Sequence, residues 1–273
     1  MPYRIDLKGA DADAFDRLVE LGAIDVEAAD GGIAAIMPDG VTPASVADAL
    51  GIAIDGLRVT SARGRDADSI WLLTARPVQA GRLRIVPAGS ALQTPQGPDA
   101  LTLRMIDGSA FGTGLHPTTA LCLEVLDDEL TAWRPERVLD VGTGTGILAL
   151  AALSLSSSVS RVVAIDIDAS AVRLAAENAR LNGLSARLHL VHGGPEALAG
   201  AWPLVIANVL AAPLIDMAPT IARRVGRSGR LILSGIRSSL AADVEQAYRH
   251  VGMKLVRSQA RDGWTALILH ASW

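Results

Sequence analysis

From Val138 onward the chain alternates short β-branched apolar runs with longer apolar stretches at helical spacing. Val138–Val141, Val162–Ile165, Leu188–Val191, Leu204–Ala207 and Arg230–Ser234 read as strands. Their apolar residues run on with little polar alternation, the pattern of strands covered on both faces. Between them fall stretches predicted as helices, among them Ala169–Leu181, Ala211–Arg223 and Ser238–His250, with Ala120–Leu130 ahead of the first strand. Lys254–Ser258 and Thr265–His270 flank Arg261-Asp262-Gly263, a hairpin signal. Strands and helices therefore alternate, and a hairpin ends the series.

The first sixty residues show a separate, smaller version of the same mixture. Tyr3–Leu7 and Gly32–Met37 read as strands and Leu57–Thr60 as a third; Asp11–Leu21 has a helical apolar face, and Thr42-Pro43 opens a helix to Leu50. Charged and small residues from Ser61 to Ser69 mark a turn or hinge. Ile70–Thr74 and Arg82–Pro87 read as strands around Pro77 and Gly81, ahead of a Pro- and Gly-rich stretch to Pro98. The expected division is a small α/β domain over 1–65, a bridge over 66–98 and a main domain over 99–273.

Composition narrows the class. Half of the 273 residues are hydrophobic, yet no apolar run approaches the ~20 residues of a membrane span. A soluble, cytoplasmic protein is expected, because Met1 to Asp6 places charge where a signal peptide needs apolar residues. Cys122 is the only cysteine, which excludes an internal disulfide and a thiolate zinc site; no metal is expected. The net charge of −4 argues against a nucleic-acid partner and suits a basic protein substrate.

The candidate chemistry lies at the end of the first long-domain strand, in Asp140-Val141-Gly142-Thr143-Gly144-Thr145-Gly146. Three glycines at alternate positions make a strand–turn–helix whose backbone a ligand can approach, with free N–H groups of the new helix facing it. The dinucleotide fingerprint needs its third glycine where Ile147 stands, and the P-loop lysine is absent. Asp166 closes the second strand about twenty residues on, where an acid can accept hydrogen bonds from ribose hydroxyls. This compact motif plus that acid resembles the class I S-adenosylmethionine (SAM) methyltransferases.

A second motif sharpens the resemblance. Phe111-Gly112-Thr113-Gly114-Leu115-His116-Pro117-Thr118-Thr119 crowds hydroxyls and free N–H groups at a helix start. Together with the glycine loop, Ile165–Asp168 and Ala207-Asn208-Val209-Leu210, it closely resembles the PrmA-type methyltransferases of ribosomal protein L11, over roughly the C-terminal two thirds. The resemblance implies a Rossmann-like α/β domain with a mostly parallel seven-stranded sheet, SAM as cofactor with S-adenosylhomocysteine as product, and methylation of lysine or N-terminal amines. It implies ribosomal protein L11 as the partner, recognised by the amino-terminal domain, although that domain carries no family motif.

Position by position, the resemblance assigns cofactor contacts to Thr119, Gly142, Asp166 and Asn208. The residues themselves support the last three, since Asn208 ends a strand whose carboxyl end borders the same crevice. Asn208 is the candidate catalytic residue, its amide carbonyl able to accept from an amine nucleophile; capping the next helix is the other reading. Gly144, Gly146, Thr113 and Phe111 complete the cofactor set, with Phe111 and Trp264 equally readable as core. His116 is open between a base or orienting role and a cap. Asp140 is read as orienting the glycine loop through backbone N–H groups, and Asp168 as turn chemistry. Two alternatives stand beside this function: a methyltransferase of another protein or a small molecule, and a non-catalytic SAM-binding protein.

Overall fold

The computed structural model describes residues 2–9, 12–29, 31–61, 77–88, 101–106 and 117–273. They fall into two compact units, one holding the described residues up to 61 and the other the rest.

In the first unit the order is β1 (Tyr3–Lys8), α1 (Ala12–Glu20), β2 (Asp25–Ala29), β3 (Gly32–Met37), α2 (Pro43–Leu50) and β4 (Arg58–Ser61). The sheet order β2-β3-β1-β4, antiparallel throughout, is the split βαββαβ arrangement. Helix α2 has strong stops at both ends. The Thr42 hydroxyl accepts from the Ser45 N–H, the Ser45 hydroxyl accepts from the Thr42 N–H, and Gly51 closes the helix at φ 67°. Ile5, Leu18, Ile33, Met37 and Val46 form the buried centre. Strand β2 is not evident in the sequence, because Asp25, Glu27 and small residues interrupt its apolar pattern.

The second unit continues with β5 (Val78–Ala80), β6 (Leu83–Pro87), β7 (Leu101–Met105), α3 (Pro117–Ala132), β8 (Arg137–Val141), α4 (Ile147–Leu155), β9 (Arg161–Asp166), α5 (Ala169–Leu181), β10 (Leu188–His192), β11 (Trp202–Asn208), α6 (Ala211–Asp216), α7 (Ala218–Ala222), β12 (Val225–Arg237), α8 (Ala241–His250), β13 (Met253–Arg261) and β14 (Trp264–Ala271). The main sheet has the order β10-β9-β8-β11-β12-β14-β13, with β14 antiparallel to both neighbours. The β13–β14 turn has Asp262 and Gly263 both at positive φ, 50° and 78°, as a two-residue hairpin of this hand requires. Both faces of the sheet are covered. Val138, Leu204 and Ile206 face a core shared with α3 and α4, whereas Leu139, Val205 and Ala207 face one shared with α6, α7 and α8.

Two local differences from the sequence reading have physical causes. The single helix expected over 211–223 is two short ones, broken at Met217. Pro219 sits in the first turn of α7, where its missing N–H costs nothing, but it could not continue α6. Residues 77–88, read as part of a bridge, are built into the second unit: β5 and β6 join β7 in a three-stranded sheet beside α3 and α4. The expected strand Ile70–Thr74 lies outside the described residues.

That small sheet is tied to α3 by Asp127, which is nearly buried. Its carboxylate accepts from the Arg82 backbone N–H at 2.9 Å and from Arg82 Nη2 at 2.7 Å. Gly81 must be glycine here, since a Cβ would lie 2.5 Å from Asp127 Oδ2. Asp127→Ala is expected to lower unfolding stability by about 1–3 kcal/mol through lost charge-assisted bonds. Urea denaturation of the variant against the parent measures this.

Candidate active site

The parallel strands β10, β9, β8 and β11 end side by side in His192, Asp166, Val141 and Asn208, with Ser234 of β12 paired beside Asn208. Beyond Val141 the chain turns through Gly142, Gly144 and Gly146 at φ 70°, 54° and 84°. These are left-handed conformations that a side chain would strain. Space forbids one as well, because a Cβ on Gly142 would lie 2.5 Å from Val209 Cγ1 and one on Gly146 3.0 Å from Ala175 Cβ. The turn therefore keeps its backbone bare and packed close to β11 and α5.

Asp166 holds the turn in place. Its Oδ2 accepts from the Gly144 N–H at 2.8 Å, its Oδ1 from the Asp168 N–H at 2.9 Å, and the N–H groups of Gly142 and Thr143 donate to the Ile165 carbonyl. A carboxylate offers about four lone-pair sites, so further donors can still be accepted. Asp168 caps α5 by accepting from the Ser170 N–H, in line with its reading as turn chemistry.

Asn208 and Thr119 meet from opposite directions. Asn208 ends β11, Thr119 lies in the first turn of α3, and the Asn208 amide donates to the Thr119 hydroxyl at 3.5 Å. Asn208 Oδ1 is buried and has no hydrogen-bond partner among the described residues, an acceptor that costs free energy unless a donor is supplied. Next to it the Ser234 hydroxyl donates to the Thr118 carbonyl at 3.1 Å, fixing the start of α3 over β11 and β12. Phe111, Thr113 and His116 lie outside the described residues. Trp264 is core, 2% exposed with Arg237 stacked on its ring, and Cys122 is buried in α3.

Asp140 takes a different partner from the one expected. It is fully buried, and its Oδ2 accepts from the Thr143 hydroxyl in the glycine turn at 2.6 Å, while the Ala149 backbone N–H of α4 also favours its charged form. Burial pushes its pKa up to about 7, the Thr143 bond opposing and the Asp166 charge adding to the rise.

Four participants had little sequence signal. Asn178 on α5 is fully buried; it donates to the Thr145 carbonyl in the glycine turn at 2.9 Å and accepts from the Ile106 N–H at 2.7 Å. One turn on, Asn182 accepts from the Arg104 N–H and donates to the Arg104 carbonyl. The two amides thus replace a strand partner along the free edge of β7. Ile167, 79% exposed, and Leu210, 64% exposed, stand beside Asp166 and Asn208 as apolar surface at the crevice. Ile167 between two acids in a turn was the one available hint.

A doubly covered sheet of this order, with a bare glycine turn after β8 and an acid closing β9, is a Rossmann-like methyltransferase. The sequence model of the family Ribosomal protein L11 methyltransferase (PrmA) matches residues 42–272. The chain is 38% identical to the ribosomal protein L11 methyltransferase of Azotobacter vinelandii over 92% of each chain, and 36% identical to that of Pelobacter propionicus over 80% of this chain and 71% of the relative. A solved ribosomal protein L11 methylase from Lactobacillus delbrueckii subsp. bulgaricus superposes with a TM-score of 0.65 at 31% identity, covering 72% of this chain and 99% of that one. The chain belongs to the ribosomal protein L11 methyltransferase family.

Two outcomes are expected. Because the folded Asp140 pKa lies above the unfolded value near 4, the native state binds the extra proton between pH 4 and 7. Stability conferred by this group falls as pH rises through that window and is level above it. Urea midpoints measured from pH 4.5 to 8 should show the fall, and Asp140→Asn should flatten it. Separately, Asn178→Asp keeps the acceptor for Ile106 but turns an oxygen toward the Thr145 carbonyl. It should cost about 1–3 kcal/mol in the same assay, and a neutral result would contradict the bridging role.

Proposed function

We propose that this chain is a SAM-dependent N-methyltransferase acting on amines of ribosomal protein L11. The observation that carries the reading is the crevice itself, where a buried orphan acceptor, Asn208 Oδ1, sits across from a glycine turn with no room for a Cβ. The donor set fits SAM. Asp166 can take ribose hydroxyls in addition to its two N–H donors, Ile167 offers an apolar face for the adenine, and Gly142 admits the amino-acid moiety against backbone. Thr119 orients Asn208 through the bond between them. Gly144 and Gly146 shape the turn. Phe111 and Thr113 remain cofactor candidates by resemblance alone.

SAM supplies an electrophilic methyl group on a sulfonium. The chain's residues have to deliver a neutral amine in line with it. A free lysine has a pKa of ~10.4 and an α-amine one of about 7.7–8.0, so burial against apolar surface such as Leu210 favours the attacking form. Asn208 Oδ1 accepts one N–H of that amine and leaves its lone pair directed at the reacting carbon. Alignment is then the main catalytic contribution, and solvent takes the proton that the methylated nitrogen releases.

The family match begins at residue 42, leaving β1 to β3 outside it. That observation favours one second reading, the same chemistry on a different protein. Intact-mass analysis of purified ribosomal protein L11 after incubation with this chain and SAM decides between them. The expected result is mass gain in steps of one methyl group. Asp166→Ala should weaken SAM binding on the order of 10–150-fold, from lost charge-assisted bonds of about 1.5–3 kcal/mol. Tight SAM binding with no gain on L11 would favour the second reading. Unchanged affinity in a folded Asp166→Ala protein would refute the ribose assignment.

A further inference from the structure

We propose that the rim at the amino ends of the main sheet, opposite the reactive crevice, is a docking surface for the phosphate backbone of RNA. Arg187 immediately precedes β10, Arg161 opens β9, Arg137 opens β8 and Arg224 immediately precedes β12. Strand register puts them in one row: Arg137 pairs with Arg161, and Leu188, next to Arg187, pairs with Val162, next to Arg161. The place of β11 is filled by the turn at Gly200 and Ala201, whose carbonyls accept from Arg224 and Arg137 at 3.1 and 3.3 Å. Neighbouring strands lie ~4.8 Å apart, so the row runs about 20 Å across the sheet. Arg134 and Arg227, both exposed, flank it.

The charge of this row is not cancelled. Among the described residues none of the four guanidinium groups makes an ion pair; their side-chain bonds go to neutral carbonyls, as where Arg187 caps Leu153 and Val159. Each guanidinium has five N–H donors, so donors remain after one or two such bonds. Arg161 uses none of its side-chain donors on the described residues, and the one acid adjoining the row in sequence, Glu136, is exposed. A chain with net charge −4 thus gathers cations on one rim. An interface for protein would show apolar anchors. Most exposed large apolar side chains stand elsewhere, at positions such as Ile167, Leu210 and Val256; one, Trp273, lies beside Val225 at the β12 end of the row, and none adjoins Arg137, Arg161 or Arg187. A regular line of arginines with no apolar anchor along β10, β9 and β8 suits successive phosphates. The choice of RNA over DNA rests on the ribosomal-protein reading above.

The test is fluorescence anisotropy with a labelled 20-nucleotide single-stranded RNA, without SAM or L11, between 50 and 200 mM KCl. It is therefore independent of whether L11 is the substrate. Three or four phosphate contacts predict a log–log salt slope of about −2 to −3. Arg137→Gln/Arg161→Gln/Arg187→Gln should weaken binding at least about ten-fold, whereas the triple lysine version, which keeps charge but not the carbonyl-capping geometry, should stay within about three-fold. If the triple glutamine protein does not fold, Arg161→Glu alone carries the test, since that side chain supports no described contact. No binding at 50 mM KCl, equal binding by the glutamine variant, equal loss with glutamine and lysine, or tighter binding to DNA of the same sequence would each overturn the proposal.

Discussion

The bond from the Gly144 N–H to the Asp166 carboxylate organises the reactive end of this molecule. A turn that must expose bare backbone to a ligand cannot hold itself with side chains, so something outside it has to fix its shape. Asp166 does so from the tip of the adjacent strand, and the Ile165 carbonyl accepts two more hydrogen bonds from the same turn. The acid that suits a ribose is therefore also a structural clamp. Its two tasks are compatible because a carboxylate has more lone pairs than the turn requires.

The remaining support comes from parts of the chain far away in sequence. Asn178 holds the far end of the glycine turn and, with Asn182, the free edge of β7. Ser234 and Asn208 hold the start of α3. Each of these polar side chains satisfies a backbone or hydroxyl group that would otherwise be buried unpaired, which makes the crevice rigid without filling it. Among the described residues of the site, Asp140 Oδ1 beneath the turn and Asn208 Oδ1 at the crevice are left over, and the latter points to where the ligands have to supply a donor.

Much of this was legible in the chain because the signals are local. β-Branched runs marked β8 to β11, the Thr42-Pro43 start marked α2, and Asp262-Gly263 marked the closing hairpin. The glycine spacing and Asp166 marked the site for the same reason. What stayed hidden depends on partners remote in sequence. Strand β7 is a short segment whose edge is completed by amides more than seventy residues away. The break between α6 and α7 was masked because Pro213 and Pro219 both suit the first turn of a helix. The hydroxyl that reaches Asp140 lies in the turn itself, a contact that only the folded geometry shows.

The two ends of the parallel strands follow opposite electrostatic rules, and the division follows from the fold. At the carboxyl ends, helix amino termini and backbone N–H groups supply the positive potential, so acids such as Asp166 and Asp168 can sit there at little cost. At the amino ends, helix carboxyl termini present unpaired carbonyls. Arginine serves those carbonyls, as Arg187 does at the end of α4, while leaving a net charge at the surface. The only lysines in the chain are Lys8 and Lys254, so the cations at these strand starts are guanidinium groups, able to cap a carbonyl and still offer a fork of donors outward. A parallel sheet thus sorts charge along its strands, with a polar crevice at one end and a cationic rim at the other.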